Sequence, residues 1–119
     1  MENPKIEWKN NPKKKCLKFT FNDRLGEQDA VSAIEKWQKS FKTFPREKIL
    51  LIWDCLTMTG YESGARNHWQ NALKEMKEQI DSIWLITNSG FIRMGASVMS
   101  VFSSYPIKVV SSENEIVIK

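Results

Sequence analysis

The residues whose side chains could take part in catalysis lie in one stretch, WDCLTMTGYESGARNHW, from Trp53 to Trp69. It holds two carboxylates, Asp54 and Glu62, and the single histidine of the chain, His68. A carboxylate pair with an imidazole nearby can carry out general acid–base catalysis when a pocket brings the groups together. A small enzyme that uses these three residues is therefore one hypothesis for this sequence.

The same side chains also have ordinary structural roles. A carboxylate near a strand end, such as Asp54, can accept hydrogen bonds from backbone N–H groups, and Glu62 suits the first turn of a helix because the helix dipole favours negative charge there. Cys55 falls inside an apolar strand pattern, where thiols are usually inert packing residues. We therefore assign no catalytic residue and favour a binding function.

The sequence lacks the signatures of a metal site, a nucleotide-binding loop and a disulfide. The chain has one histidine and two cysteines, Cys16 and Cys55, which do not form a C-x-x-C pair. These are too few ligands for a zinc site. The segments TGYESG and NSG have neither Walker nor dinucleotide-binding spacing. We expect no metal, no cofactor and two reduced thiols.

Charge and hydropathy exclude two further classes of function. The chain has 18 Lys and Arg against 14 Asp and Glu, a net charge of +4. Much of this excess lies in one basic turn near the N-terminus, which is too local for a nucleic-acid groove. No stretch resembles a signal peptide or a transmembrane segment. The sequence predicts a cytoplasmic protein that binds no nucleic acid.

Alternating and helical patterns divide the chain into the elements of one α/β domain, residues 1–119. IEW and KCLKFTF predict an N-terminal β-hairpin, and ILLIWDC, SIWLITN and IKVV predict buried parallel strands. Three segments between these strands predict helices. The first two have an apolar stripe at helical spacing: Ala30, Ile34, Trp37, Phe41 and Phe44 in one, and Ala65, Trp69, Leu73, Met76 and Ile80 in the other. The third is the segment GFIRMGASVMSVFSSY. Arg66 faces away from the second stripe. Short connections imply a mixed sheet with right-handed crossovers, whose strand-end loops carry the site.

The third predicted helix has more apolar surface than one sheet face can cover. Its apolar residues span about 220° of the helical wheel, whereas a stripe nearer 100° is enough for a helix on a sheet. Ile92 and Met99 lie near one margin of this arc and Val101 near the other, so we expect one margin to be exposed. Neighbouring helices, a second chain or a lipid are the alternatives for what covers the rest.

The order of elements, with LIWDCLTMTGYESGA at its centre, resembles the STAS superfamily. The SpoIIAA-like branch, related to bacterial anti-sigma-factor antagonists, is the most similar. In such sequences a hydrophobic strand ends in an aspartate and is followed by a glycine–aromatic pair and a helix, as in Asp54, Gly60 and Tyr61 here. The resemblance covers nearly the whole chain. It implies a regulatory domain without enzymatic activity that works by binding a protein.

Members that act in partner switching carry Asp-Ser-Ser-Gly at the start of this helix, and the second serine accepts phosphate from a kinase that is also the binding partner. The aligned residues here are Tyr61, Glu62, Ser63 and Gly64, so the acidic residue and the first serine are absent. A shift by one residue places Glu62 on the aspartate but Gly64 on the acceptor. We therefore predict that Ser63 caps the helix, a role worth about 1 kcal/mol, rather than acting as a switch.

These observations predict a non-enzymatic binding surface that combines the loop from Thr57 to Ser63 with the exposed part of the third helix. The residues assigned to it are Asp54, Thr57, Thr59, Gly60, Tyr61, Glu62, Ser63, Gly64, Ile92 and Met99. The expected partner is another protein, a second copy of the chain in a homodimer, or a lipid or other amphiphilic ligand. A flat apolar patch on the third helix favours this function, whereas a closed polar pocket around the two carboxylates and the histidine favours the enzyme.

Overall fold

In the computed structural model, which describes residues 2–99 and 107–118, five strands form one sheet whose order follows the chain. They are β1 (Lys5–Lys9), β2 (Lys15–Leu25), β3 (Ile49–Tyr61), β4 (Ile80–Ile86) and β5 (Lys108–Val110). β1 pairs antiparallel with β2, and the other neighbours pair in parallel. The predicted mixed sheet with an N-terminal hairpin is confirmed.

In the described part of the chain, three α-helices connect the parallel strands: α1 (Glu27–Thr43), α2 (Ser63–Met76) and α3 (Gly90–Met99). Because each crossover leads to the next strand in the same direction, right-handed connections place these three helices on one face of the sheet. Trp37, Trp69 and Ile92, one from each helix, accordingly belong to a single core cluster. The predicted continuation of the third helix beyond Met99 lies outside the described residues.

Aromatic side chains form the centre of this core. Phe19 of β2 packs edge-on against Trp37 and Trp69, with ring centroids 5.3 Å and 5.8 Å apart. Trp53 of β3 also packs edge-on against Trp69, at 6.0 Å. Edge-to-face contacts between such large rings add to the free energy gained by burying them. The cluster therefore ties α1 and α2 to the two central strands.

The other face of the sheet is covered by the C-terminal segment. A second cluster of buried side chains lies there, comprising Cys16, Leu50, Ile52, Trp84 and Ile86. Val110, Ile116 and Ile118 pack against it. This cover explains why ILLIWDC is continuously apolar, because β3 is buried on both faces. The free thiols of Cys16 and Cys55 lie on opposite faces.

Residues 57–61, predicted as a loop, instead extend β3 along the end of β2. Two shifts in register place extra residues in β3, and each such bulge reverses which side chains face the core. Met58 and Tyr61 therefore both pack against the core, whereas Thr57 and Thr59 are exposed. The interrupted alternation is the reason that the sequence pattern did not indicate a strand here.

Two residues of the predicted helical stripes lie outside their helices. Ile80 is the first residue of β4, because a 3₁₀ turn, Lys77–Gln79, follows the end of α2. Phe44 is the C-cap of α1 rather than part of its last turn. Both side chains remain at least partly buried, so the apolar pattern correctly indicated burial but not the helix ends.

Candidate functional site

The N-termini of α1 and α2 lie side by side, and a carboxylate from each contacts the other helix. The Glu62 carboxylate accepts a 2.6 Å hydrogen bond from the backbone N–H of Glu27, the first residue of α1. In the other direction, the Glu27 carboxylate lies 2.9 Å from Nε2 of His68 on α2. Negative charge is favourable at both places because helix N-termini carry partial positive charge. Glu62 therefore caps the first turn of α1, and Glu27 in turn binds a side chain in the second turn of α2.

Gly64 provides the space that the Glu27 side chain occupies. A Cβ atom at position 64 would lie 2.6 Å from Oε1 of Glu27, which is closer than these atoms approach without displacement. The glycine that matches the partner-switching motif therefore has a packing role in this chain.

Ser63 is not the helix cap that the sequence predicted. The backbone N–H of Glu62 bonds to the carbonyl of Leu25 at 2.9 Å, which continues the strand pairing up to the helix. Glu62 is consequently the N-cap and Ser63 is the first helical residue. Ser63 is exposed, and its hydroxyl has no hydrogen-bond partner among residues 2–99 and 107–118.

Asp54 lies on the opposite face of the sheet from these helix N-termini. Its carboxylate is 3.7 Å from Nζ of Lys18 and accepts a 3.2 Å hydrogen bond from the backbone N–H of Leu56. Lys18 also donates a 2.6 Å hydrogen bond to Glu113 of the C-terminal segment. Burial alone would lower the pKa of Lys18, but the hydrogen bond and charge of Glu113, with the charge of Asp54, raise it. Asp54 therefore helps to hold the C-terminal segment and is not part of the predicted surface.

The three residues of the enzyme hypothesis are not brought together. Asp54 faces one side of the sheet, whereas Glu62 and His68 lie at the helix N-termini on the other side. In the part of the chain that the structure describes, no three acidic, histidine or cysteine side chains converge as metal ligands. Burial raises the pKa of the Cys55 thiol to about 12, so this thiol is protonated and poorly nucleophilic at neutral pH.

Among the α3 side chains that the structure describes, the large apolar ones that are exposed are Phe91 and Met94. Their exposed fractions are 56% and 67%, whereas Ile92 is only 4% exposed and Met99 packs partly buried against the core. Of the two margins of the apolar arc, the one with Ile92 is therefore not the exposed one, because this side of α3 packs against the core. Val101, placed at the other margin, lies outside the described residues.

Tyr61 connects the end of β3 to α3. Its ring stacks on Phe91, with centroids 5.3 Å apart and an interplanar angle of 27°. Its hydroxyl packs against Gly95, where any Cβ atom would clash with Oη. Met94 follows Phe91 by three residues, on the same side of the helix. We call Tyr61, Phe91 and Met94 the apolar patch.

A cavity of about 50 Å³, open to solvent on one side, lies between α2, α3 and the end of β3. Apolar residues form most of its lining, among them Met58, Trp69, Ile92 and Met99. Arg66 of α2 also lines it. The sequence pattern had placed this arginine on the outward face of the helix, and nothing in the spacing of residues indicates a cavity beside it.

No family model and no curated protein sequence matches this chain. Its architecture, however, matches solved structures. One is an uncharacterized protein of the DUF3478 family with a SpoIIAA-like fold, from Shewanella loihica PV-4. It superimposes with a TM-score of 0.80 at 11% sequence identity, over 97% of this chain and 91% of that chain. The chain has a SpoIIAA-like fold.

A second structure with this fold is the anti-sigma factor antagonist SpoIIAA in its unphosphorylated form. It matches with a TM-score of 0.65 at 10% identity, over 93% of this chain and 92% of that chain. The two matches confirm the SpoIIAA-like architecture predicted from the order of elements. Among the described residues of this SpoIIAA-like chain, no helix is long and apolar enough to span a membrane.

Proposed function

We propose that this SpoIIAA-like chain is a single regulatory domain of the cytoplasm, without enzymatic activity, that binds a protein partner through the apolar patch and the adjoining start of α2. The observation that carries the proposal is the exposure of Phe91 and Met94, 56% and 67%, beside the stacked ring of Tyr61. Exposed aromatic and methionine side chains that lie together are typical of the centre of a protein interface.

Polar groups next to the apolar patch supply the rim that such an interface needs. Ser63 has an exposed hydroxyl at the first residue of α2, and Thr59 is exposed on the extended part of β3. Both can bond to a partner without breaking a hydrogen bond among the described residues. Polar groups at the edge of an apolar centre are typical of protein interfaces.

The remaining predicted residues position this surface rather than contact the partner. Glu62 and Gly64 fix the two helix starts against each other. The hydroxyl of Thr57 bonds to the carbonyl of Phe21 at 3.1 Å, and Gly60 lies beside the second bulge of β3. The similarity to SpoIIAA, which is named as an antagonist of an anti-sigma factor, also favours a protein as the partner.

The proposal is tested by photo-crosslinking from position 94 in living cells, followed by binding measurements with the purified crosslinked protein. Phe91→Glu should weaken binding at least about tenfold, since burying an unpaired carboxylate at an interface is costly. Val117→Glu is the matched control, because Val117 is 59% exposed and lies in the C-terminal segment outside the patch. Equal affinities of the Phe91→Glu and Val117→Glu proteins would disprove the proposed surface.

A second copy of the chain is the alternative occupant, and sedimentation distinguishes it. If the patch is a homodimer interface, the unmodified protein sediments as a dimer, crosslinks to itself from position 94, and becomes monomeric when Phe91 is replaced by glutamate. A monomer at all concentrations, together with a crosslink to a different protein, supports the proposed regulatory partner.

A further inference from the structure

We propose that the free edge of β1 binds an extended acidic segment of a protein partner, which adds to the sheet as a further strand. The segment carries carboxylates opposite Lys5 and Lys9 and a basic residue opposite Glu7. This edge shares no residue with the apolar patch, and the proposal does not depend on the function proposed above.

The strand β1 lies at the end of the sheet and pairs with β2 along one edge only. In the described part of the chain, no backbone hydrogen bond joins residues 5–9 to anything but β2. The N–H and C=O groups on the other edge of such a strand are free to pair with another chain. An extended peptide can satisfy them, and its side chains then determine the specificity.

The charges along this edge favour carboxylates at two positions. Lys5, Glu7 and Lys9 are exposed and alternate with Ile6 and Trp8, so their side chains lie on the same face of β1. Lys5 has a 3.7 Å contact with Glu7 on its own strand, and such exposed ion pairs contribute little. Opposite charges on facing residues of two paired strands stabilise the pairing, and like charges destabilise it. An incoming strand is therefore favoured when it is acidic opposite the two lysines.

Lys9 is available for such a pair. It forms no ion pair with any carboxylate of residues 2–99 and 107–118. The remaining residues of the chain include no aspartate or glutamate, so they offer no acidic side chain to it. A carboxylate opposite Lys9 must therefore come from another molecule.

The turn after β1 extends the positive charge beyond Lys9. Lys13 and Lys15 are exposed and have no carboxylate partner among the described residues. Lys14 between them differs, because it lies 2.8 Å from the carboxylate of Asp81. An acidic segment that continues past Lys9 thus meets further lysines, which also attract it before contact.

Trp8 supplies an apolar contact on the other face of the same strand. Its side chain is 38% exposed, and its ring packs edge-on against Phe44 with the centroids 5.2 Å apart. An apolar side chain of the added strand covers the exposed part of this ring. Partly exposed tryptophans held in place by a neighbour are typical anchors of protein interfaces. The preferred segment therefore alternates charged and apolar residues.

The same charges disfavour a second copy of the chain as the added strand. Two β1 strands that pair antiparallel along their full length place Lys5 against Lys9 and Glu7 against Glu7 of the other copy. Like charges on facing residues are unfavourable, and lysines on edge strands commonly prevent such self-pairing. A strand of the opposite charge pattern does not meet this repulsion.

The capped peptide Glu-Val-Lys-Val-Glu is the probe, because its symmetric pattern fits β1 in either direction. It is titrated into the ¹⁵N-labelled protein and followed by NMR. We expect the amide resonances of β1 to shift, and binding to be at least about threefold tighter than that of Glu-Glu-Val-Val-Lys, which has the same composition in another order. The probe with N-methyl groups on its three central residues should not bind, since it cannot form the strand hydrogen bonds.

Charge reversal at position 9 tests the predicted pair. Lys9→Glu should weaken binding of the probe at least about threefold. Lys-Val-Lys-Val-Glu, which can place a lysine opposite the new glutamate, should bind this variant at least about threefold more tightly than the probe does. Lys77→Glu makes the same change at an exposed lysine just after α2 and should bind the probe as the unmodified protein does. Circular dichroism verifies folding, and Lys5→Glu replaces Lys9→Glu if that variant unfolds.

The proposal is overturned if the probe does not bind at millimolar concentration, or if the reordered or the N-methylated peptide binds equally well. It is also overturned if the variants at positions 9 and 77 bind the probe alike. Self-association of the unmodified protein that Lys9→Glu abolishes would assign the edge to a second copy instead. None of these outcomes affects the apolar patch, because Phe91 and Met94 are tested separately by crosslinking and sedimentation.

Discussion

The carboxylate of Glu62 caps the backbone N–H of Glu27 at a distance of 2.6 Å, although the two residues are 35 positions apart in the chain. The N-cap residue of α2 therefore also caps the N-terminus of α1. A second carboxylate, that of Asp29, accepts a 3.0 Å hydrogen bond from the N–H of Gly26 at the same place. The first donors of α1 are thus satisfied partly from within the helix and partly from its neighbour.

Replacing Glu62 by alanine should lower the free energy of unfolding by about 1 kcal/mol, the usual cost of losing a side-chain cap. Urea denaturation followed by circular dichroism measures the change. Glu75→Ala, in the middle of α2 and exposed, is the control and should have little effect. Equal stability of the Glu62→Ala and Glu75→Ala proteins would show that the shared cap contributes nothing.

Ser63→Ala should leave the free energy of unfolding within about 0.5 kcal/mol of the unmodified protein, as for most exposed substitutions. The hydroxyl of Ser63 bonds to none of the described residues, so its removal breaks no contact among them. Denaturation of this variant beside Glu62→Ala tests which residue is the cap. A loss of about 1 kcal/mol for the serine variant would restore the original prediction from the sequence.

Gly95→Ala should destabilise the protein by about 1–3 kcal/mol, the usual range for overpacking. The new methyl group would clash with Oη of Tyr61, whose ring is already stacked on Phe91. Gly90→Ala is the control, because a Cβ atom there meets no neighbouring atom within 4 Å. Thermal unfolding compares the two variants.

Combining Gly95→Ala with Tyr61→Phe should recover part of that loss, since the hydroxyl is the group that clashes. The double-mutant cycle then shows a favourable coupling between positions 61 and 95. Strict additivity of the two single changes would mean that Tyr61 does not hold α3 in the way described.

Stability should fall as the pH rises from about 9 toward 12, in part because of Cys55. Burial raises the pKa of this thiol from its usual 9.0 to about 12. In this interval the unfolded chain releases the thiol proton while the folded chain keeps it, so deprotonation favours unfolding, by up to about 1.4 kcal/mol per pH unit. Urea denaturation across this range should show a shallower decline for Cys55→Ala. Parallel curves for the two proteins would contradict a buried, protonated thiol.

Periodic burial explains why so much of the fold could be predicted. The alternation of Leu17, Phe19 and Phe21 in β2 and the stripe around Trp37 in α1 result directly from one buried face per element. Such spacing is local and therefore visible in the sequence. The order of strands followed from short connections and the handedness of crossovers.

The candidate site was less predictable because its geometry depends on contacts between distant residues. The cap between Glu62 and Glu27 joins different helices, and no local pattern indicates it. Two bulges concealed the extension of β3 that carries Tyr61. The cavity beside Arg66 arises from the way α2 and α3 meet, which helical periodicity does not specify.

The sheet has its three described helices on one side and the C-terminal segment on the other, with consequences for synthesis on the ribosome. Cys16, Leu50 and Trp84 are made long before Ile116 and Ile118 emerge to cover them. A nascent chain from which Ile116 and Ile118 have not yet emerged therefore displays an apolar sheet face, a surface that promotes aggregation. The ion pair between Lys18 and Glu113, at 2.6 Å, forms only with the same late residues. The second face of the sheet therefore stays open to solvent during synthesis until residues 113–118 can fold back over it.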